Sequence, residues 1–228
     1  LSKVIDRLGE AAIDPAAWPA IMDDICRAVG ASAAILLQSD VRTPDVPRTP
    51  SIDEALQLYF KHDWHLRDPR AAGFPQMMSG EIVTDHDMLT PEQIRSDPMY
   101  NEVLYPFGFQ WFAGVGFWAE SAAWALTLQR TGRVGSFEAR DKRLLARLAP
   151  RLTETATLAT AVGRVALTSM TNVLNQVQQP ALVLNRRGMV LSTNAAADAG
   201  FDDDIRISNR RLMVRDKSAL AKLDQLVA

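Results

Sequence analysis

A single cysteine, Cys26, in 228 residues leaves no partner for a disulfide, so the fold has no covalent framework and suits a reducing compartment. No apolar run approaches the ~18 residues of a membrane-spanning helix, and no charged-then-apolar leader is present. The chain therefore reads as cytoplasmic, with no membrane partner. A basic surplus is also missing. Net charge is −2: eight Lys/Arg meet six Asp/Glu from Thr171 onward, and seventeen meet twenty-one before it. Neither part carries the positive excess of a nucleic-acid-binding domain.

Catalytic signatures are lacking too. There is no Gly-x-Ser-x-Gly elbow, no phosphate-binding loop, no Rossmann glycine run and no His-Glu-x-x-His. Three histidines and one cysteine on an apolar stripe give nucleophile–base chemistry few candidates, and the expectation is no enzyme. His62, His65 and Asp68 stand three apart, so one helical face could present them to a metal, but no second cluster completes a site. No metal and no cofactor is assigned.

What is present is enough apolar residue, 47%, to fill the core of one large domain or two small ones. Leu1, Val4, Ile5 and Leu8 predict a short helix ended by Gly9. Asp14-Pro15 predicts a capped helix, with Ile13 and Trp18 as a hydrophobic staple and Ile21, Met22, Ile25, Cys26 and Val29 inward. A strand over Ala31–Gln38 follows, then a proline-rich loop over Arg42–Pro50 and a helix capped by Ser51. Glu81–Thr84 is a strand candidate, and Thr90-Pro91-Glu92-Gln93 is a capping box.

Phe109–Trp118 and Ala122–Gln129 read as an antiparallel hairpin turning at Ala119-Glu120-Ser121. Strict alternation would put Phe109, Trp111, Ala113, Val115 and Phe117 on one face. Gly114 and Gly116 on the other mark close approach of a ligand or another backbone. Ser136 caps a long helix with Phe137, Leu144, Leu145, Leu148 and Leu152 inward, and Pro150 should kink or interrupt it. Arg140, Arg143, Arg147 and Arg151 form one stripe, read as a solvated flank beside those leucines in preference to a contact with DNA or an output domain. From Ala181 the chain reads as strand, Asn185-Arg186-Arg187-Gly188 turn and strand, then a helix capped by Asn194.

That last stretch resembles the opening of a PAS domain. Earlier in the chain stand Asp14-Pro15-x-x-Trp18, Tyr59…Asp68-Pro69-Arg70, Ile82-Val83-Thr84-Asp85, Tyr100-Asn101…Leu104-Tyr105-Pro106-Phe107-Gly108, and Phe137-Glu138 leading to Leu148-Ala149-Pro150-Arg151-Leu152. In that order they resemble the N-terminal sensory region of bacterial LuxR-type transcriptional regulators. The element order of helix, strand, helices, hairpin and long helix itself builds an α+β fold, an antiparallel sheet flanked by helices as in GAF and PAS modules. With the resemblance, the chain divides into a GAF-like ligand-sensing domain over 1–150, a linking and dimerisation helix over 136–170, and the N-terminal part of a PAS-like domain over 171–228.

The same resemblance implies a small-molecule ligand, a homodimer, and DNA contact only through a helix-turn-helix expected after Ala228. In the related acyl-homoserine-lactone receptors a Tyr and an Asp-Pro nine residues apart bond the ligand, a spacing that Tyr59 and Asp68 reproduce. The receptors' Trp one turn before that Tyr is Ala55 here, which argues against a lactone. Tyr59, Trp64, Asp68 and Trp111 are the candidate ligand-binding residues. The aromatics as a set fit either an enclosed pocket or plain core packing. Two alternatives stay open: the sensory region of a signalling enzyme, such as a histidine kinase or cyclic-dinucleotide synthase, and a ligand-free dimerisation scaffold.

Overall fold

The computed structural model describes residues 2–38, 46–119, 122–184 and 188–227. It divides into two compact units, Leu1–Thr160 and Ala161–Ala228. The class is α+β, with an antiparallel sheet flanked by helices and one long helix, as the sequence leads one to expect.

The first unit opens with helix α1 (Ser2–Ile13). It runs past Gly9, where solvent lies around the missing side chain, and ends four residues later than the apolar spacing suggests. Ile13 is 73% exposed, so no staple to Trp18 forms. Asp14 still caps the turn that follows, accepting from the Ala16 amide at 2.9 Å. Helix α2 (Trp18–Val29) buries the six residues of its apolar stripe and stops at Gly30, whose φ of 67° a glycine adopts without a Cβ penalty.

Strand β1 (Ala33–Gln38) leads to helix α3 (Asp53–Lys61) through a 3₁₀ turn over Pro50–Ile52. Ser51 does not cap it, because its hydroxyl donates to the Ser32 carbonyl at 2.8 Å instead. Residues 42–45 of the proline-rich loop lie outside the described residues, as do Glu120 and Ser121 of the hairpin turn. Short helix α4 (Phe74–Met78), strand β2 (Ile82–Thr84) and helices α5 (Asp85–Met88) and α6 (Pro91–Ser96) follow. The Thr90–Gln93 capping box forms as read.

Strands β3 (Phe109–Ala119) and β4 (Ala122–Thr131) form the long hairpin, and the sheet order is β1-β4-β3-β2, all antiparallel. A bulge between Phe109 and Trp111 breaks the simple alternation. One extra residue flips the side chains before it, so Phe109 joins the core on the opposite face from Trp111.

One face of the sheet packs Ala34, Leu36, Ala113, Val115, Phe117, Leu126 and Leu128 against α1 and α2 and against the leucines that follow β4. The other face carries a second core around Ile35, Leu56, Phe60, Trp64, Tyr100 and Phe109. The predicted long helix is two: α7 (Ala139–Ala146) and α8 (Ala149–Gln176). Ser136 is displaced as cap by Glu138, in a capping box with Asp141. The interruption falls at Arg147 and Leu148, ahead of Pro150, which sits in the first turn of α8 where its missing N–H costs nothing. Leu145, Leu148 and Leu152 are fully buried, and truncating any of them to Ala should cost about 2–5 kcal/mol.

In the second unit, β5 (Leu182–Leu184) and β6 (Val190–Thr193) pair, with Gly188 at φ 69° before β6. Asn185, Arg186 and Arg187 of that turn lie outside the described residues. Asn194 caps α9 (Ala195–Asp198) as predicted, accepting from Ala197 N at 2.9 Å. The same side chain accepts from Ala181 N and donates to the carbonyls of Gln179 and Thr171. A second hairpin, β7 (Ile205–Ser208) and β8 (Arg211–Val214), turns on Asn209 and Arg210, both at positive φ, before α10 (Lys217–Val227).

Candidate functional site

A cavity of about 360 Å³ lies in the first unit, on the sheet face that carries Ile35. That volume falls within the range of small-molecule sites, roughly 300–1,000 Å³. Its floor is sheet: Ile35 and Leu37 from β1, Phe112 from β3, and Ala125, Thr127 and Gln129 from β4. Period-two alternation explains the set, since the same strands send Leu36, Ala113, Leu126 and Leu128 to the opposite core. Helix α3 supplies Ala55, Leu56 and Tyr59, and α4 supplies Phe74 and Met77.

The two glycines of β3 explain how α4 gets so close. A Cβ on Gly116 would lie 2.4 Å from the Met77 carbonyl oxygen, and one on Gly114 would lie 2.3 Å from the Met77 sulfur. The close approach read from these glycines is therefore that of another backbone and its side chain.

The polar end of the cavity is built by the turn after α3. Asp68 caps the 3₁₀ turn Pro69–Gly73, accepting from the Arg70 amide at 2.8 Å. Its carboxylate also takes Arg70 Nη2 at 2.7 Å and Nε at 3.0 Å, and the Tyr59 hydroxyl donates to it at 2.9 Å. Arg70 lies over the Phe112 ring, 4.9 Å from its centroid. Burial opposes the charge on Asp68, but the Arg70 guanidinium outweighs it and holds the carboxyl below the usual range. Burial likewise opposes the charge on Arg70, and Asp68 reverses the effect, so the arginine stays a cation. Burial pushes the Tyr59 phenol up, so it acts as a neutral donor.

Behind this group Asp85 is buried, accepting from the Tyr100 hydroxyl and from Phe112 N at 2.5 Å. Burial raises its pKa despite those donors.

The structure thus brings Tyr59 and Asp68 together in the cavity wall, in contact. Trp64 is buried in the adjoining core beneath the Arg67 guanidinium, 3.9 Å from its ring, and does not line the cavity. Trp111 points to the other sheet face, with its ring 5.3 Å from His86. Residues that sequence reasoning missed are Arg70, His65 as a wall residue, and Gln129. Arg70 was visible only as the third residue of Asp68-Pro69-Arg70. An arginine directly after a capped Asp-Pro turn can fold back on the cap, and that was the available signal.

The remaining sequence candidates settle elsewhere. Cys26 is buried, and burial pushes its thiol up to about 12, leaving it inert at neutral pH. Among the described residues no group of three His, Cys, Asp or Glu side chains could hold a metal, and no helix is long and apolar enough to cross a membrane. Arg140, Arg143, Arg147 and Arg151 are exposed.

No protein-family model and no curated protein matches the chain. Among solved structures it is similar to the LBD domain of VqsR from Pseudomonas aeruginosa, the ligand-binding domain of a LuxR-type regulator. Identity is 15% and the TM-score 0.54, over 71% of this chain and 96% of that one. At that identity the likeness is one of fold.

Proposed function

We propose that the first unit is the small-molecule sensing domain of a cytoplasmic bacterial transcription regulator of the LuxR type. The observation that carries the reading is the cavity: apolar walls, a built polar end, and a position between the sheet and the helices α3 and α4. The buried Tyr–Asp–Arg cluster gives that otherwise apolar space one polar end. The fold likeness to a LuxR-type regulator's ligand-binding domain supports the same assignment. The sheet-and-helix architecture is compatible with a GAF-like description of this unit, and the β5–β6 hairpin with its Asn194-capped helix fits a PAS-like reading of the second.

The chain acts as a sensor and not as an enzyme, and it works as a homodimer through α8. Leu158, Val162 and Val165, and further along Met170 and Val173, recur within each group at three- or four-residue spacing on that helix and are exposed. Two such helices side by side would set the spacing of output domains reading DNA half-sites. A ligand favouring one sensor conformation would shift the population of that arrangement.

Binding of the neutral fluorophore N-phenyl-1-naphthylamine tests the cavity. The wild-type chain should bind it saturably. An Ala125→Leu variant, folded by circular dichroism, should bind it at least about tenfold more weakly, because the floor then fills the space. Absence of binding to the wild type would reduce the unit to a scaffold.

A further inference from the structure

Three polar atoms of cavity-lining residues are buried without a hydrogen-bond partner: Arg70 Nη1, His65 Nδ1 and Gln129 Oε1. Native interiors leave few such groups, and each invites an explanation. Arg70 is the informative one. It spends its Nε–Nη2 edge on Asp68, so its other edge is uncommitted. Its side chain is only 11% exposed, so bulk water does not serve that edge well. A guanidinium edge is a planar fork whose geometry matches the two oxygens of a carboxylate.

We infer that the cavity takes a carboxylic acid with an apolar body, its carboxylate on the free edge of Arg70 and its body among Leu37, Leu56, Phe74 and Met77. This inference rests on the sensing reading above and adds the ligand's chemical class.

Asp68 and Arg70 cancel, so the wall holds no surplus negative charge to repel a carboxylate, and the unpartnered His65 Nδ1 is a second polar position in the same lining. Asp85, the other acid behind the wall, is already engaged by Tyr100 and the Phe112 amide and is not a lining residue. A neutral amide would bring one acceptor oxygen to two donors, whereas a carboxylate has acceptor sites for both. Gln129 Oε1 has the opposite need, and a hydroxyl on the ligand body would meet it. The Tyr59–Asp68 contact has a different role. With Asp68 saturated by Arg70 and Tyr59, it orients the guanidinium and leaves no acceptor for a ligand N–H.

Displacement of N-phenyl-1-naphthylamine from the full chain by decanoate and by decanamide tests this directly. Decanoate should compete about tenfold or more better than decanamide, the size of one charge-assisted hydrogen bond. Asp68→Asn/Arg70→Gln, which removes the pair without stranding a charge, should lose that preference while still binding the fluorophore. Arg70→Lys keeps the charge beside Asp68 but lacks the fork, and it should also lose the preference if the double variant does not fold. Equal competition by the two probes, or better competition by the amide, overturns the carboxylate assignment and leaves the sensing reading standing. Fluorophore bound but displaced by neither probe has the same meaning. Failure of the wild type to bind the fluorophore at all overturns both.

Discussion

Gly116 lies under the backbone of Met77, so close that a methyl group on it would sit 2.4 Å from the Met77 carbonyl oxygen. The contact is with main chain, which cannot rotate away as a side chain can. Gly116→Ala should therefore lift α4 from the sheet and destabilise the first unit by about 1–3 kcal/mol. Gly114→Ala should cost less, because its nearest neighbour is the flexible Met77 thioether. Urea unfolding of the two variants gives the comparison, and equal losses would count against this ranking.

The Asp68–Arg70 pair predicts strong coupling. Asp68→Asn alone leaves a buried guanidinium without its counter-charge and should cost about 3–5 kcal/mol. Asp68→Asn/Arg70→Gln should cost much less than the two single changes added together. A double-mutant cycle by chemical denaturation measures this, and additive losses would mean that the pair does not act as a unit.

Stability against pH should show two opposite signs. Asp68 and Asp141 are held below the ordinary carboxyl range by Arg70 and Arg130, against the opposing effect of burial. Their contributions are full above the unfolded value of ~3.9 and are lost as pH falls through the lower folded values. Asp85 behaves the other way. Burial raises its pKa, so its ionised form costs stability at neutral pH and protonation relieves that cost on acidification. Between pH 7 and pH 4 the wild type should gain on an Asp85→Asn variant. Denaturation midpoints that keep a constant difference across that range would show that Asp85 does not titrate as described.

The exposed stripe of α8 predicts dissociation by charge. Sedimentation of the wild type at micromolar concentration should report a dimer, and Val165→Glu/Val173→Glu should report a monomer with unchanged helicity. A monomeric wild type, or a dimer insensitive to both charges, would remove α8 as the interface.

Local chemistry was the readable part of the sequence. Asp14, Thr90 and Asn194 cap their helices because a cap needs only residues within four positions. The Ser136 cap failed because Asp141 has a distant partner. Arg130, from β4, bonds Asp141 at 2.9 Å and the carbonyls of Ser136 and Gly30, and this fixes the segment so that Glu138 becomes the cap. The bulge that moves Phe109 to the other face depends on pairing with β4, so no property of β3 alone announces it. The spacing shared with the lactone receptors marked Tyr59 and Asp68 as a pair that faces one cavity, but not their bond to each other. Arg70 and Gln129 were not legible, since a buried polar residue looks like a surface one until its neighbours are known.

Asn194 has a consequence for how the second unit comes apart. Its one amide serves the N–H groups of Ala181 and Ala197 and the carbonyls of Gln179 and Thr171, so helix end, strand approach and helix start share a single fastener. None of these segments can fray without stranding the others' bonds. The backbone hydrogens of Ala181 and Ala197, sixteen positions apart, should therefore exchange with solvent through one shared opening event, with matched rates and matched temperature dependence.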